Sequence, residues 1–122
     1  MRRLKFFNIT LITLALLFNY GCSADNASQA LGPPPADAVW IDVRSAQEYA
    51  SGHINDASNI SHEAILAGVS ARGLAKNTPI YLYCGSGYRA GVAKDVLEAQ
   101  HYTNIVNVGG LEDARTLLNE LE

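Results

Sequence analysis

The sequence predicts an α/β domain built on a mostly parallel sheet, with helices on both faces of that sheet. Three short apolar runs rich in β-branched and aromatic residues alternate with segments of helical periodicity. The runs are continuous, which is typical of parallel strands covered on both sides. A chain of 122 residues, 48% hydrophobic and 17% charged, has room for one such domain.

Each of the three strands is predicted from its own residues. The first is the run Ala-Val-Trp-Ile-Asp-Val at 38–43. The second covers 79–83 and begins with Pro79, at a position where proline costs no ladder hydrogen bond. The third covers 104–108 and is closed by two glycines. Because folds of this kind place their sites beyond the carboxyl ends of the strands, the residues after these runs are the first functional candidates.

Three helices are predicted between and after the strands. Ser45 is an N-cap for a helix over 46–50, and Glu48 completes a capping box. A second helix over 88–100 carries Val92 and Val96 on one face, beside Ala93 and Leu97. One side of a last helix is apolar, with the residues Leu111, Ala114, Leu118 and Leu121, and with Leu117 beside them.

The first 36 residues are predicted to lie outside the domain, which we expect over 37–122. Residues 1–21 start with a basic patch and continue with a mostly apolar stretch, the pattern of a secretory signal peptide. The stretch is too short for a membrane-spanning helix. Residues 22–36 are small, polar and proline-rich, which predicts a flexible tether with a stiff polyproline end.

Cys22 directly follows this predicted signal. The run Gly21-Cys22-Ser23 resembles a bacterial lipoprotein signal, in which cleavage before the cysteine is followed by its lipidation. Cleavage of an ordinary soluble exported protein is the alternative. Both interpretations predict export to the periplasm, and the first adds a lipid anchor to a membrane at Cys22.

The charge of the chain bears on its partners. The whole chain has a formal net charge of −3, and without residues 1–21 six basic residues face twelve acidic ones, a net charge of −6. Nucleic acid is therefore not expected as a partner, because neutralising phosphates requires a basic surface. Any anion chemistry must come from a local site and not from long-range attraction.

Cys84 is the candidate for such a site. It follows the second strand and is separated from the next helix by the turn Gly85-Ser86-Gly87, with Tyr88 and Arg89 after it. Glycines let successive backbone N–H groups converge on an anion, and the helix N-terminus adds its positive dipole end. A thiol there is expected to have a lowered pKa and to be nucleophilic. The guanidinium of Arg89 can hold an oxyanion with two hydrogen bonds.

The loop from Cys84 to Arg89 resembles the active loop of rhodanese-type sulfurtransferases. Other residues resemble that family's opening and closing motifs, in the order the family has them. The opening motif is resembled by Ile41-Asp42-Val43-Arg44, Glu48-Tyr49, Gly52-His53-Ile54 and Ala57-Ser58-Asn59-Ile60. The closing motif is resembled by Tyr102-Thr103-Asn104-Ile105 and Val108-Gly109-Gly110-Leu111. The resemblance covers nearly the whole domain and is strongest for the small periplasmic members. It implies a rhodanese-like single domain.

The resemblance also implies a chemistry. A thiolate of Cys84 would attack the outer sulfur of thiosulfate or a similar donor, and the resulting persulfide would pass its sulfur to cyanide or a thiol. The amides of Gly85, Ser86, Gly87, Tyr88 and Arg89 would hold the terminal sulfur, and Arg89 would bind the donor's sulfonate. No metal and no organic cofactor is required, because the cysteine carries the sulfur. We expect a monomer that meets only small-molecule donors and acceptors.

Three positions depart from the family pattern. Asn55 and Asp56 stand where Pro-Gly is common, and His101 stands where a helix-ending glycine is usual. All three lie away from the loop, so we expect them to affect turn geometry and not chemistry.

Other interpretations of these residues remain open at the level of sequence. Cys84 could be a buried structural thiol, or could pair with Cys22 in an oxidising compartment. His53 could be a general base, although a structural role in its turn is favoured. Asp42 and Arg44 are expected to pair with each other and cap a helix.

Other functions also remain open. The fold could serve as a persulfide carrier or binding module. A cysteine-based phosphatase or arsenate reductase ranks below it, because tyrosine phosphatases place five residues between cysteine and arginine and this loop has four.

The mass of the native protein purified from its source cells tests the predicted N-terminus. We expect residues 1–21 to be absent. A chain that starts at Cys22 with added lipid mass would identify the lipoprotein route, and an unmodified start near that position would identify simple export. A chain that retains Met1 would contradict both interpretations.

Overall fold

The structure, a computed structural model, describes residues 31–119, which form a four-stranded parallel sheet in the order β2-β1-β3-β4. The strands are β1 (Val39–Asp42), β2 (Ser58–Asn59), β3 (Ile80–Cys84) and β4 (Ile105–Gly110). The helices are α1 (Ala46–Ala50), α2 (Ile65–Ala71, after a 3-10 turn at His62–Ala64), α3 (Tyr88–Ala99) and α4 (Leu111–Asn119). Within this part of the chain no helix is both long and apolar enough to cross a membrane.

The parallel α/β architecture confirms the predicted fold class. Two elements were not predicted, β2 and α2. Strand β2 is only two residues long, and Gly68 weakens the helical propensity of α2. That glycine is required by packing, since a Cβ on Gly68 would lie 2.5 Å from the Ile60 side chain. Strands β3 and β4, the second and third of the predicted strands, also end later than expected. Cys84 and Gly110 are their last residues, and these two pair with each other.

The sheet separates two apolar cores, because successive side chains of a strand point to opposite faces. Alternate residues of β3, namely Ile80, Leu82 and Cys84, belong to the core that α2 and α3 cover. Tyr81 and Tyr83 belong to the core on the other face, which α4 covers with Ala114 and Leu117. Both faces of the central strand are therefore buried, in agreement with its continuous apolar sequence.

The expected apolar face of α3 needs correction. Ala90, Ala93 and Leu97 are buried against the sheet, whereas Val92 and Val96 are each 37% exposed. Alanines have small side chains, and they let α3 approach β3 and β4 closely. The contacting side of this helix therefore includes the expected Ala93 and Leu97, together with Ala90, and not the β-branched Val92 and Val96. In α4, Leu111 and Leu118 are partly buried, and Leu121 lies outside the described residues.

Asp42 and Arg44 form the expected pair at the end of β1. Asp42 is fully buried and accepts from Nε and Nη2 of Arg44, with the Nη2–Oδ2 distance 2.7 Å. Arg44 also donates to the carbonyl of Gly52, and the Asn59 amide donates to the carbonyls of Asp42 and Arg44. The pair joins β1 to the following turn and does not cap α1, whose N-cap and capping box are the predicted Ser45 and Glu48.

Two of the three residues that depart from the family pattern adopt the left-handed conformation that favours glycine. Asp56 has φ 65° and His101 has φ 68°. His101 follows the last turn of α3, where its N–H bonds to the carbonyl of Glu98 and the N–H of Tyr102 bonds to that of Leu97. These two bonds form a Schellman motif, in which the left-handed residue is usually glycine. The turns are preserved, at a conformational cost.

Replacing His101 with glycine is expected to increase the free energy of unfolding by about 1 kcal/mol, because glycine has no Cβ to clash in the left-handed region. Urea unfolding of both proteins measures the change. Gln100→Gly is the matched control, since the neighbouring Gln100 has φ −99° and is also exposed. We expect the control to be less stable than the parent chain. A His101→Gly variant no more stable than the parent would contradict the prediction.

Candidate active site

Cys84 ends the central strand directly beneath the start of α3. The alternation along β3 turns its side chain to the face that α3 covers, and the residue is 1% exposed. It is a free thiol. Cys22, the alternative disulfide partner, lies outside the described residues, as do the predicted signal peptide and the predicted tether up to residue 30.

Backbone N–H groups converge on the Cys84 sulfur. The N–H of Gly87 donates to Sγ with an N···S distance of 3.0 Å. Burial raises the pKa of the Cys84 thiol, but hydrogen bonds from the backbone outweigh it and hold the pKa below its ordinary value. The donors are the N–H groups of Ala90, Ser86, Gly87 and Arg89. Two of them, Arg89 and Ala90, belong to the first turn of α3, whose N–H groups have no partner within the helix. The direction of this shift agrees with the lowered pKa expected from the sequence.

Only one of the two glycines in the turn needs an unusual backbone conformation. Gly87, the residue before α3, has φ 95°. A Cβ there would also lie 3.2 Å from the Cα of Gly109. Gly85 keeps an ordinary backbone, and a Cβ there would lie 3.3 Å from Nη2 of Arg89. Gly87 therefore makes the turn, and Gly85 leaves room for the arginine.

The glycine pair at the end of β4 supports the loop from behind. A Cβ on Gly110 would lie 2.5 Å from the carbonyl oxygen of Gly85. The N–H of Gly110 donates to Asp113 in the first turn of α4 at 2.7 Å. The loop and the β4–α4 junction are therefore in direct backbone contact.

Asn107 is a further part of the site that the sequence analysis did not identify. Its side-chain N–H donates to the carbonyl of Gly87 at 2.9 Å, and its oxygen accepts from the N–H of Gly109 at 3.0 Å. The register of β3 against β4 shifts here, so that Val108 is an extra residue in β4. The sequence offered one indication of this role. Asparagine is uncommon in strands, so an asparagine within an apolar strand indicates a specific function for its side chain.

Arg89 forms an ion pair that the sequence analysis did not anticipate. Its Nη1 donates to Oε2 of Glu48 at 2.7 Å and its Nη2 to Oε1 at 2.9 Å. The Arg89 guanidinium, with further hydrogen bonds from Ser45, holds the pKa of Glu48 well below its usual range. Glu48 in turn raises the pKa of Arg89. Glu48 therefore caps α1 and reaches the loop with one side chain.

The remaining predicted residues have different surroundings. Ser86 is exposed, and Tyr88 is 78% exposed at the mouth of the loop. His53 lies in its turn, where Nδ1 is 2.8 Å from the carbonyl oxygen of Tyr49 and its ring stacks on that of Tyr49 at 3.7 Å. Both contacts agree with the favoured structural role. Within residues 31–119, no three or more His, Cys, Asp or Glu side chains are grouped to hold a metal ion.

A cavity of about 700 Å³ lies away from the thiol. Its walls include Pro34, Trp40, Ile54 and Leu118, and no residue of the 84–89 loop contributes to them. The candidate active site at Cys84 is therefore separate from this cavity.

Replacing Gly110 with alanine is expected to raise the pKa of Cys84 toward the ordinary thiol value of about 8.5. The new Cβ would displace the backbone at Gly85 and withdraw N–H groups from Sγ. The pH dependence of alkylation by iodoacetamide reports the thiolate fraction. Gly32→Ala is the control, because a Cβ there meets nothing within 4 Å. An unchanged midpoint in a folded Gly110→Ala variant would contradict this account.

The chain is similar to known proteins in sequence and in fold. The model of the family described as "Rhodanese-like domain" matches residues 23–115. The thiosulfate sulfurtransferase PspE of Escherichia coli is 32% identical over 103 residues, 84% of this chain and 88% of the relative. The thiosulfate sulfurtransferase GlpE of Pseudomonas entomophila is 28% identical over 82 residues, 67% of this chain and 73% of the relative.

Solved structures agree. A rhodanese with anions from E. coli superposes with a TM-score of 0.60 at 34% identity, over 62% of this chain and 89% of that one. A rhodanese-like domain protein from Staphylococcus aureus superposes with a TM-score of 0.55 at 31% identity, over 62% of this chain and 72% of that one. The chain belongs to the rhodanese-like domain family.

Proposed function

We propose that this protein is a sulfurtransferase that moves a sulfane sulfur from thiosulfate, or a similar donor, to cyanide or a thiol through a persulfide on Cys84. The observation that carries the proposal is the position of the Cys84 sulfur. Sγ lies at the end of β3, under the first turn of α3, with the Gly87 N–H 3.0 Å away. The names of PspE and GlpE support the same activity.

In the first step the Cys84 thiolate attacks the outer sulfur of thiosulfate. The S–S bond of the donor breaks, its electron pair leaves with sulfite, and a new S–S bond joins the transferred sulfur to Sγ. The terminal sulfur of the persulfide then carries the negative charge. The lowered pKa of Cys84 supports this step, because the thiolate is the attacking species.

The loop has groups for the two negatively charged parts of that step, the terminal sulfur of the persulfide and the sulfonate of the donor. The N–H groups around Sγ are preorganised donors for the terminal sulfur, and they require no rearrangement during transfer. Arg89 is proposed to bind the sulfonate oxygens. A guanidinium has five N–H donors, and the ion pair with Glu48 uses two of them. Three donors therefore remain for a substrate.

In the second step an acceptor attacks the terminal sulfur. Cyanide would form thiocyanate, or a thiolate would form a new persulfide, and in both cases the S–S bond electrons return to the Cys84 thiolate. Because the cysteine carries the sulfur covalently, the first product leaves before the acceptor reacts, and ping-pong kinetics are expected.

We also propose that the domain acts after export to the periplasm, as a monomer. The support is the basic and apolar pattern of residues 1–21 and the proline-rich segment that follows it. A lipid on Cys22 would place the sulfur site at a membrane surface.

Intact mass spectrometry before and after addition of thiosulfate tests the persulfide. We expect the purified exported protein to gain the mass of one sulfur atom, and a reductant to remove it. Cys84→Ser is expected to show no gain, because the nucleophile is missing. Cys22→Ser is the matched control, since it makes the same chemical change at the other cysteine and is expected to gain the sulfur normally. A folded protein with a free Cys84 that gains no sulfur would refute the proposal for thiosulfate.

A further inference from the structure

We propose that Glu48 is a specificity-determining residue, which makes the site favour donors with a single negative charge, such as alkyl persulfides, over the dianion thiosulfate. The proposal rests on the sulfurtransferase function proposed above. In this proposal the carboxylate of Glu48, at the mouth of the loop, discriminates between donor classes. The loop from Cys84 to Arg89 does not discriminate between them.

The first support is the charge at the mouth of the loop. From Cys84 through the first turn of α3, Arg89 is the only basic residue. Both of its terminal nitrogens donate to Glu48. Arg44, Lys94 and Arg115 each have a carboxylate partner of their own. The formal charge of Arg89 is therefore cancelled, and none of these three paired cations offers a free charge in its place.

The second support is that Glu48 is fixed independently of Arg89. Its Oε2 accepts from the backbone N–H of Ser45 at 3.0 Å and from the Ser45 hydroxyl at 2.9 Å. If Arg89 turned toward a substrate, the carboxylate would stay at the mouth of the loop. A sulfonate that binds Arg89, even through the donors that Glu48 does not use, must therefore approach this negative charge.

The third support is the partial exposure of the pair. The side chains are 30% exposed for Arg89 and 41% for Glu48, so the pair faces the solvent through which a donor arrives. Repulsion by a fixed charge is proportional to the charge of the approaching group. Thiosulfate carries two negative charges, whereas an alkyl persulfide with an uncharged tail carries one. Glu48 therefore penalises thiosulfate more.

Glu48→Gln removes the charge with little change of shape. Glutamine can also complete a capping box, so α1 keeps its N-terminal hydrogen bonds. We expect the KM for thiosulfate to fall about fivefold and the KM for the persulfide of 2-mercaptoethanol to fall about twofold, with kcat for each donor little changed. The difference should shrink at high ionic strength, because salt screens exposed charges.

A second measurement separates this inference from the proposed function, because it needs no sulfur transfer. Alkylation of Cys84 by the anion iodoacetate is compared with alkylation by neutral iodoacetamide at the same pH. The ratio of the two rates cancels any change in the thiolate fraction. We expect the ratio to rise about twofold in Glu48→Gln, as for the singly charged persulfide. If it rises while no variant forms a persulfide with either donor, the proposed function fails and the charge effect of Glu48 stands.

Two controls make the inference refutable. Glu112→Gln removes the same charge from another carboxylate paired with an arginine, on α4, and is expected to change neither the KM ratio nor the alkylation ratio. Ser45→Ala weakens the cap of α1 but keeps the charge of Glu48. An unchanged alkylation ratio in a folded Glu48→Gln variant would overturn the proposal. The same rise in Ser45→Ala or Glu112→Gln would also overturn it.

Discussion

A sulfur anion can be stable in a place without water only where other hydrogen-bond donors replace the water. Cys84 is 1% exposed, so its thiolate depends entirely on such donors. The parallel sheet meets this requirement by ending β3 beneath the free N–H groups of α3. The left-handed Gly87 brings its own N–H to Sγ, and the small residues of α3 keep the helix close to the strand.

The contact between the loop and β4 explains why the end of that strand is irregular. A regular strand would carry side chains where Gly85 and Gly87 approach, and the two glycines at 109 and 110 remove them. The extra residue in β4 then turns Asn107 to the carbonyl of Gly87. Irregular pairing at this edge therefore supports the loop and is no defect of the sheet.

Two ion pairs near the carboxyl ends of the strands have different roles. Asp42 and Arg44 are buried, and their remaining hydrogen bonds go to backbone carbonyls and amides, so the pair joins segments of the fold. Glu48 and Arg89 are partly exposed, where an ion pair contributes little to stability. A pair of this second kind is free to serve the chemistry of the loop.

Much of this architecture could be predicted from the sequence. The apolar runs around Ile41, Leu82 and Val106 gave the parallel strands, and the spacing from Cys84 to Arg89 identified the loop. Strand β2 could not be predicted, because two residues carry no period. The contacts from Glu48 to Arg89 and from Asn107 to Gly87 span 41 and 20 residues, and only the tertiary fold brings them together.

The hydrogen bonds to the Cys84 thiolate also couple folding to the loss of the thiol proton. Since the pKa of Cys84 is lower in the folded chain than in an unfolded one, the thiolate form favours folding. This stabilisation is complete above the ordinary thiol pKa of about 8.5, and it is lost as the pH falls through the lower pKa of the folded state. Active sites often reduce stability in exchange for reactivity. Here the acidity of the thiol and the stability of the fold increase together, so selection for a more acidic thiol need not weaken the protein.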